Sequence, residues 1–316
     1  MKSPGDGCPA SPTTRYAATV TEAAAALPGI HHRFVQANGL QFHVAESGEG
    51  EKFALCLHGF PESWYSWRHQ LPLLVEQGYR VWAPDLRGYG QTDKPKGVAA
   101  YDLEILMQDV VALIDASGAK QTLLLFHDWG GIIGWHVVVR QLRPLEGAIC
   151  MNIPHPGAMQ ANLGFRQLLH SWYILFFQLP WLPEFLLTAK HGAMLARAFR
   201  DTSCHPERWT EEDLAVYREA VCRPGAATAM LNYYRALFRT PGARRQRKQG
   251  YPAVDTRILM LWGEQDIALT KQLSYGTEKF VPNLTLHYLP DVSHWTQQDD
   301  PETVNRHIED WLAAGG

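Results

Sequence analysis

The 316-residue chain contains no G-x-S-x-G motif, so it has no serine raised between glycines at a strand-to-helix turn. Cysteine is sparse as well. Cys8, Cys56, Cys150, Cys204 and Cys222 are odd in number, widely spaced and without a C-x-x-C pair. That argues against a disulfide framework and against metal ligation, and points to reduced thiols in a cytoplasmic setting. His31-His32 has no partners at metal spacing, and no metal or cofactor is assigned. Neither sign of charge is in large excess. A formal net charge of −3 gives no support for nucleic-acid binding. Long apolar runs are missing too. The most apolar stretch, residues 171–187, is interrupted by Gln178, Pro180 and Pro183 and falls short of the ~20 residues a bilayer span needs. It is expected to line a hydrophobic pocket, contact with a membrane surface being the other reading. Residues 1–27 are rich in Ala, Pro, Thr and Ser, and Glu22 breaks their only apolar part. A loose N-terminal extension is expected there rather than a secretion signal.

What is present is enough apolar side chain, 46% of residues, to bury a sizeable core, and a regular alternation of elements. Residues 41–46 alternate as a strand, and 52–58 form a buried strand running into His58-Gly-Phe-Pro61. A helix to about Gln77, a strand over 79–84, a loop from Asp85 to Asp93 and an amphipathic helix over 101–117 follow. Next come an apolar strand over 122–126, a helix from Gly130, and a strand over 147–153. The pattern then stops. From His155 to about Lys248 the chain reads as helical, aromatic and punctuated by proline. Strands return at 257–262 and 284–289, with a helix over 271–280 between them and a closing helix over 301–312. This is an α/β chain with a mostly parallel sheet and helices on both faces. Its core comprises residues 28–154 and 250–316, and residues 155–249 form an all-helical lid over the edge where open α/β sheets bind ligands. The basic run 244–248 is expected to be a solvated hinge loop. Gly88-Tyr-Gly90 is expected to be a turn after a strand and not a phosphate loop.

Three polar residues fall just past strand ends: Asp128, Asp266 and His294. Alone, Asp128 is equally well explained as a helix cap, and His294 as a loop histidine. Together they follow the order nucleophile, acid, histidine, which is the chain order of the α/β-hydrolase triad. Asp266 would fix the tautomer of His294 and stabilise its charged form.

His58-Gly-Phe-Pro61, Asp85-Leu-Arg-Gly-Tyr-Gly90, His127-Asp-Trp-Gly-Gly131, Trp262-Gly-Glu-Gln-Asp266 and Ser293-His-Trp295 carry a resemblance across nearly everything from about Ile30 onward. The chain resembles an epoxide hydrolase of the α/β-hydrolase fold, and haloalkane dehalogenases share most of these pieces. The resemblance implies Asp128 as nucleophile, His294 as general base and Asp266 as its acid. It implies an oxyanion hole from the backbone N–H groups of Phe60 and Trp129, with a cis bond before Pro61 as a further expectation. Two lid patterns, Tyr173-Ile-Leu-Phe-Phe-Gln178 and Tyr234-Arg235, match the two tyrosines that receive the epoxide oxygen in that family. Tyr233 is expected to face elsewhere.

Phe60, Trp129, Phe177 and Trp295 are the expected pocket residues. The aromatic lid (Trp172, Phe176, Trp181 and others) points to a small apolar epoxide, with water as second substrate and a monomer or homodimer as the assembly. A dehalogenase needs N–H donors for a halide and no tyrosine pair. A non-catalytic receptor with the same fold needs neither tyrosine. One departure from the family pattern stands out. The residue two before the nucleophile, usually small, is Phe126.

Overall fold

The structure, a computed structural model, describes residues 27–315. All but the last residue of the expected N-terminal extension, and Cys8 with it, lie outside the described residues. Eight strands form one sheet in the order β1-β2-β4-β3-β5-β6-β7-β8. They are β1 (Ile30–Ala37), β2 (Leu40–Ser47), β3 (Lys52–Leu57), β4 (Tyr79–Pro84), β5 (Thr122–His127), β6 (Leu145–Met151), β7 (Ile258–Gly263) and β8 (Leu284–Leu289). β1, β2 and β4 pair antiparallel, and every pair from β4/β3 to β7/β8 is parallel. The inner strands β5 and β7 are buried at every residue. Leu123–Phe126 and Ile258–Trp262 within them are accordingly unbroken apolar runs, as strands covered on both faces require. β1 has only Val35 and Ala37 buried, which is why its sequence gave no strand pattern.

The helices follow from the crossovers. β3 connects to β4 through α1 (Gln70–Glu76), and β5 connects to β6 through α3 (Asp128–Val139). These two steps run in opposite directions along the sheet. Right-handed crossovers therefore put α1 and α3 on opposite faces. α2 (Leu103–Ser117) joins β4 to β5. Strand order reverses around β3, so the ends of β3 and β5 open onto the switch-point crevice where α/β sheets bind ligands. His58-Gly59-Phe60 and Asp128 lie at those two ends.

Seven helices stand between β6 and β7. They are α4 (Pro156–Asn162), α5 (Phe165–His170), α6 (Trp172–Phe176), α7 (Leu182–Thr202), α8 (Glu211–Cys222), α9 (Ala226–Arg239) and α10 (Gly242–Gln249). α7 is two helical runs joined across non-helical residues 189–192. Thr210 and Asp213 form a reciprocal capping box that starts α8. Asp213 also takes a hydrogen bond from the Tyr65 hydroxyl at 2.9 Å and faces Arg68 at 3.3 Å. Phe199 packs on Trp209 and on Trp295 of the core. These contacts hold the inserted helices to the β3–α1 segment and to the loop that carries His294.

Two expectations fail here. Residues 271–280 are not one helix but two short 3-10 turns, Lys271–Ser274 and Thr277–Lys279. Gly276, at φ +79°, interrupts them in a left-handed conformation that a helix cannot hold. The basic run 244–248 is not a loop but part of α10. Its periodicity is helical, since Gln246 is buried and takes a hydrogen bond from Arg140, while Arg245 pairs with Glu104. The closing helices are α11 (Thr296–Asp299) and α12 (Pro301–Ala313). No helix among the described residues is long and apolar enough to cross a membrane.

Candidate active site

Asp128 sits between the end of β5 and the first turn of α3 with φ at +46°, a conformation that non-glycine residues rarely hold. Such strain persists only where the surroundings fix it. Here the fit is close. A Cβ on Gly59 would lie 2.5 Å from the Asp128 Cβ, so only glycine lets the β3 turn approach. That approach lets the Phe60 N–H donate to Asp128 Oδ1 at 2.7 Å. The Trp129 N–H makes no such bond among the described residues. The Phe60–Pro61 bond is cis.

Phe126 finds its space through a second glycine. Its ring is fully buried and packs edge-on to Trp135. A Cβ on Gly134, on the facing side of α3, would come within 2.4 Å of that ring. The large residue at the elbow is therefore matched by a missing side chain on the helix.

His294 and Asp266 complete the sheet side. The His294 Nδ1–H donates to Asp266 Oδ2 at 2.7 Å, and Nε2 lies 3.6 Å from Asp128 Oδ2. The two oxygens of Asp128 thus have separate surroundings, Oδ1 on a backbone donor and Oδ2 towards the imidazole. Asp266 is held from the other side. Its Oδ1 accepts the N–H groups of Ala268 and Leu269 at 2.7 and 2.9 Å. Its Oδ2 also accepts the Asn152 side-chain amide at 2.8 Å. Burial works against the charged His294 ring. The carboxylates of Asp266 and Asp128 outweigh it and hold the ring well above its ordinary value. Burial likewise works to raise Asp128. The facing His294, His127 and the Phe60 N–H outweigh it and keep the carboxyl below the usual range.

Beneath these lies a buried polar floor. Glu62 accepts hydrogen bonds from the Gly59 N–H at 2.8 Å and from the side chains of Gln297 and Gln298 at 3.0 and 2.8 Å. The ring nitrogens of His127 contact Glu62 Oε2 at 2.9 Å and the His294 carbonyl at 2.8 Å. Both the turn holding Phe60 and the loop holding His294 are therefore fixed to one internal carboxylate.

The inserted helices supply the opposite wall. Tyr173 from α6 and Tyr234 from α9 line a cavity of ≈260 Å³ with Asp128, His294, Phe60, Phe177 and Trp295. Burial raises the Tyr173 hydroxyl, and the charges of Asp128 and Asp266 add to the shift. Burial, with Asp128 next, does the same to Tyr234. Both are therefore protonated donors facing a carboxylate. The segment just after α6 is braced to the helix of Tyr234. The Gln178 amide donates to the Tyr234 carbonyl at 3.1 Å. Arg235 donates to the Phe177 carbonyl at 3.0 Å and pairs with Glu184 at 2.6 Å. The spacing of Tyr173-x-x-x-Phe-Gln178 and Tyr234-Arg235 thus has a mechanical basis. Tyr233 does face elsewhere, its hydroxyl donating to the Arg87 carbonyl at 2.8 Å. Trp129, expected in the pocket, stands behind Tyr234 with ring centroids 5.1 Å apart and is not among the residues lining the cavity.

Sequence reading passed over Asn152, Glu62 and His127. Asn152 directly follows β6 with φ +37°, and a polar residue just past a buried strand is the same signal that marks Asp128. His127 opens one quoted motif and Glu62 directly follows another, but neither had a visible partner. No group of three or more His, Cys, Asp or Glu among the described residues is placed to hold a metal ion.

The family model described as "alpha/beta hydrolase fold" matches residues 55–301. The AB hydrolase superfamily protein YfhM of Bacillus subtilis is 40% identical over 90% of this chain and 99% of its own length. Epoxide hydrolase 2 of Caenorhabditis elegans is 34% identical over 89% of this chain and 80% of its own. Epoxide hydrolase 4 of Homo sapiens is 37% identical over 88% and 77%. Among solved structures, an epoxide hydrolase of Bacillus megaterium in complex with an inhibitor superposes with a TM-score of 0.81 at 28% identity. That match covers 89% of this chain and all of the other.

Proposed function

The chain belongs to the epoxide hydrolases of the α/β-hydrolase fold family, and we propose that it opens small apolar epoxides to vicinal diols through a covalent ester on Asp128. The observation that carries this reading is the division of labour at Asp128. Oδ1 rests on the Phe60 N–H, Oδ2 points towards His294, and two protonated tyrosines face the carboxylate across an apolar cavity.

In the first half, Asp128 Oδ2 attacks an epoxide carbon and the C–O bond breaks. Tyr173 and Tyr234 donate to the oxygen as it becomes an alkoxide, and one of them protonates it. Both hydroxyls are raised by burial beside negative charge, so they arrive protonated. A carboxylate suits this step because the product is an ester, which water can cleave. Ester formation removes the Asp128 charge, one of the two that hold His294 high. The ring then gives up its proton more readily, the tyrosinate takes it, and the neutral ring becomes a base when one is required.

In the second half, neutral His294, oriented by Asp266, takes a proton from water. The resulting hydroxide equivalent attacks the Asp128 carbonyl carbon. The charge develops on Oδ1, where the Phe60 N–H already stands at 2.7 Å. Removing one such preorganised donor typically costs ~3 kcal/mol. Collapse of the tetrahedral intermediate expels the diol oxygen, which takes the proton of the re-formed Asp128 carboxyl, and leaves Asp128 ionised and His294 protonated as at the start. Residues 155–249 act in this reading as the lid that excludes bulk water and supplies the acid side of ring opening.

The test is turnover of styrene oxide beside a 1-haloalkane. Phenylethanediol without halide release is expected. Halide release with no diol would replace this reading by a dehalogenase.

A further inference from the structure

Nine of the fourteen large apolar side chains exposed among the described residues fall between residues 163 and 185. They include Phe165, Leu169, Trp172, Leu175, Trp181 and Phe185, exposed by 58–76%. Exposed apolar side chains scattered singly are ordinary, but a concentration of this size on one segment marks an interaction surface. We propose that this face of α5, α6 and the start of α7 docks on the surface of an anionic lipid bilayer and feeds the cavity from it. The proposal stands on the surface itself and not on the reaction beneath it.

Charge points to an anionic partner. Between residues 156 and 200 the only acidic side chain is Glu184, and it is taken up by Arg235. Arg166 and Lys190 on the same segment are exposed and have no carboxylate partner among the described residues. An apolar segment with exposed tryptophans and exposed cations along it has the composition of one that lies in the membrane interface. The same features disfavour a second copy of the chain, because a twofold contact through this face would bring like charges together.

Position adds the functional link. α6 spans five residues and divides them between the two surfaces. Tyr173 and Phe176 line the cavity, while Trp172 and Leu175 are exposed. Met194 and Ile267 line the cavity and are also about half exposed, so the mouth opens beside the apolar face. An apolar ligand dissolved in a bilayer would reach the cavity without crossing water, whereas a twofold contact there would close the mouth.

The test is cosedimentation of the full chain with vesicles of phosphatidylcholine containing about a quarter phosphatidylglycerol, against phosphatidylcholine alone. Binding to the anionic vesicles is expected, weakened by salt, and reduced about tenfold or more in a Phe165→Glu/Leu175→Glu double variant. Both positions are exposed, so the thermal melt is expected to stay unchanged. Should the glutamates unfold the chain, Phe165→Gln/Leu175→Gln serves the same purpose. No binding by the native chain overturns the proposal, as does binding that the variants leave intact. A concentration-dependent dimer that the variants abolish, without vesicle binding, assigns the face to a second copy and equally overturns it.

Discussion

On the sheet side of the cavity, Asp266 accepts hydrogen bonds from His294, Asn152 and two backbone N–H groups. Across from it, the Tyr173 hydroxyl bonds to no protein atom among the described residues, and its helix buries none of its five residues. One wall is cross-braced by a buried network. The other is carried on helices that leave the Tyr173 hydroxyl free, let the Tyr234 oxygen accept only from Trp129 among the described residues, and turn much of their apolar surface outward. The difference matches the proposed chemistry. A base and an oxyanion donor must be fixed before the charge forms, whereas a donor meant for an epoxide oxygen must not already be spent on the protein. The two walls should therefore fail in different half-reactions.

The largest effect should come from the sheet side. Asp128→Ala removes the proposed nucleophile and should lower turnover by about 10⁴-fold or more, with the thermal melt showing a folded chain. His294→Gln should separate the halves. Ring opening continues, ester accumulates to one per site, and steady-state turnover falls about 10³-fold, as read by acid quench and peptide mass. The native enzyme adds a pH signature. Below the pKa of His294 in the ester form the base is protonated, so single-turnover ester hydrolysis should fall about tenfold per pH unit. Because Asp128 is then neutral, that pKa should lie below the one for His294 in the free enzyme.

On the lid side, Tyr173→Phe with Tyr234→Phe should slow ester formation by about 10²–10³-fold while leaving ester hydrolysis near its native rate. Equal loss in both half-reactions would break the comparison. Asn152→Ala leaves Asp266 with one fewer donor and should cost about tenfold, expressed in hydrolysis rather than in ring opening. The smallest test concerns the elbow. Gly134→Ala would push a Cβ into the Phe126 ring and should destabilise the fold by about 1–3 kcal/mol, measured by urea denaturation. The same change with Phe126→Leu should recover most of that loss.

The fold class could be read from the sequence because strands buried on both faces must be apolar runs, and helices must carry their 3.6-residue stripe. β1 could not, since its outward residues are His31, His32, Arg33 and Phe34. The signal available was the turn after it. Asn38-Gly39, both at positive φ, is the pair that two-residue hairpins favour. Asp128 was visible because it directly follows a buried strand, and Asp266 and His294 because they stand in the loops after the last two strands in the triad's chain order. Asn152, directly after β6, obeys the same rule as Asp128. Glu62 was less accessible. Its Gln297 and Gln298 partners are more than two hundred residues away in the chain, and nothing local records such a pairing. Phe126 looked unfavourable by itself, and only the fold shows that Gly134 makes room for it.

The most direct measurement is one turnover of excess enzyme with styrene oxide in ¹⁸O-labelled water, followed by mass spectrometry of the diol and of the peptide containing Asp128. The account predicts an unlabelled diol and label in that peptide, because water attacks the Asp128 carbonyl and the diol leaves with Oδ2. A labelled diol with an unlabelled peptide would mean that water attacks the epoxide directly, and would contradict the covalent role of Asp128.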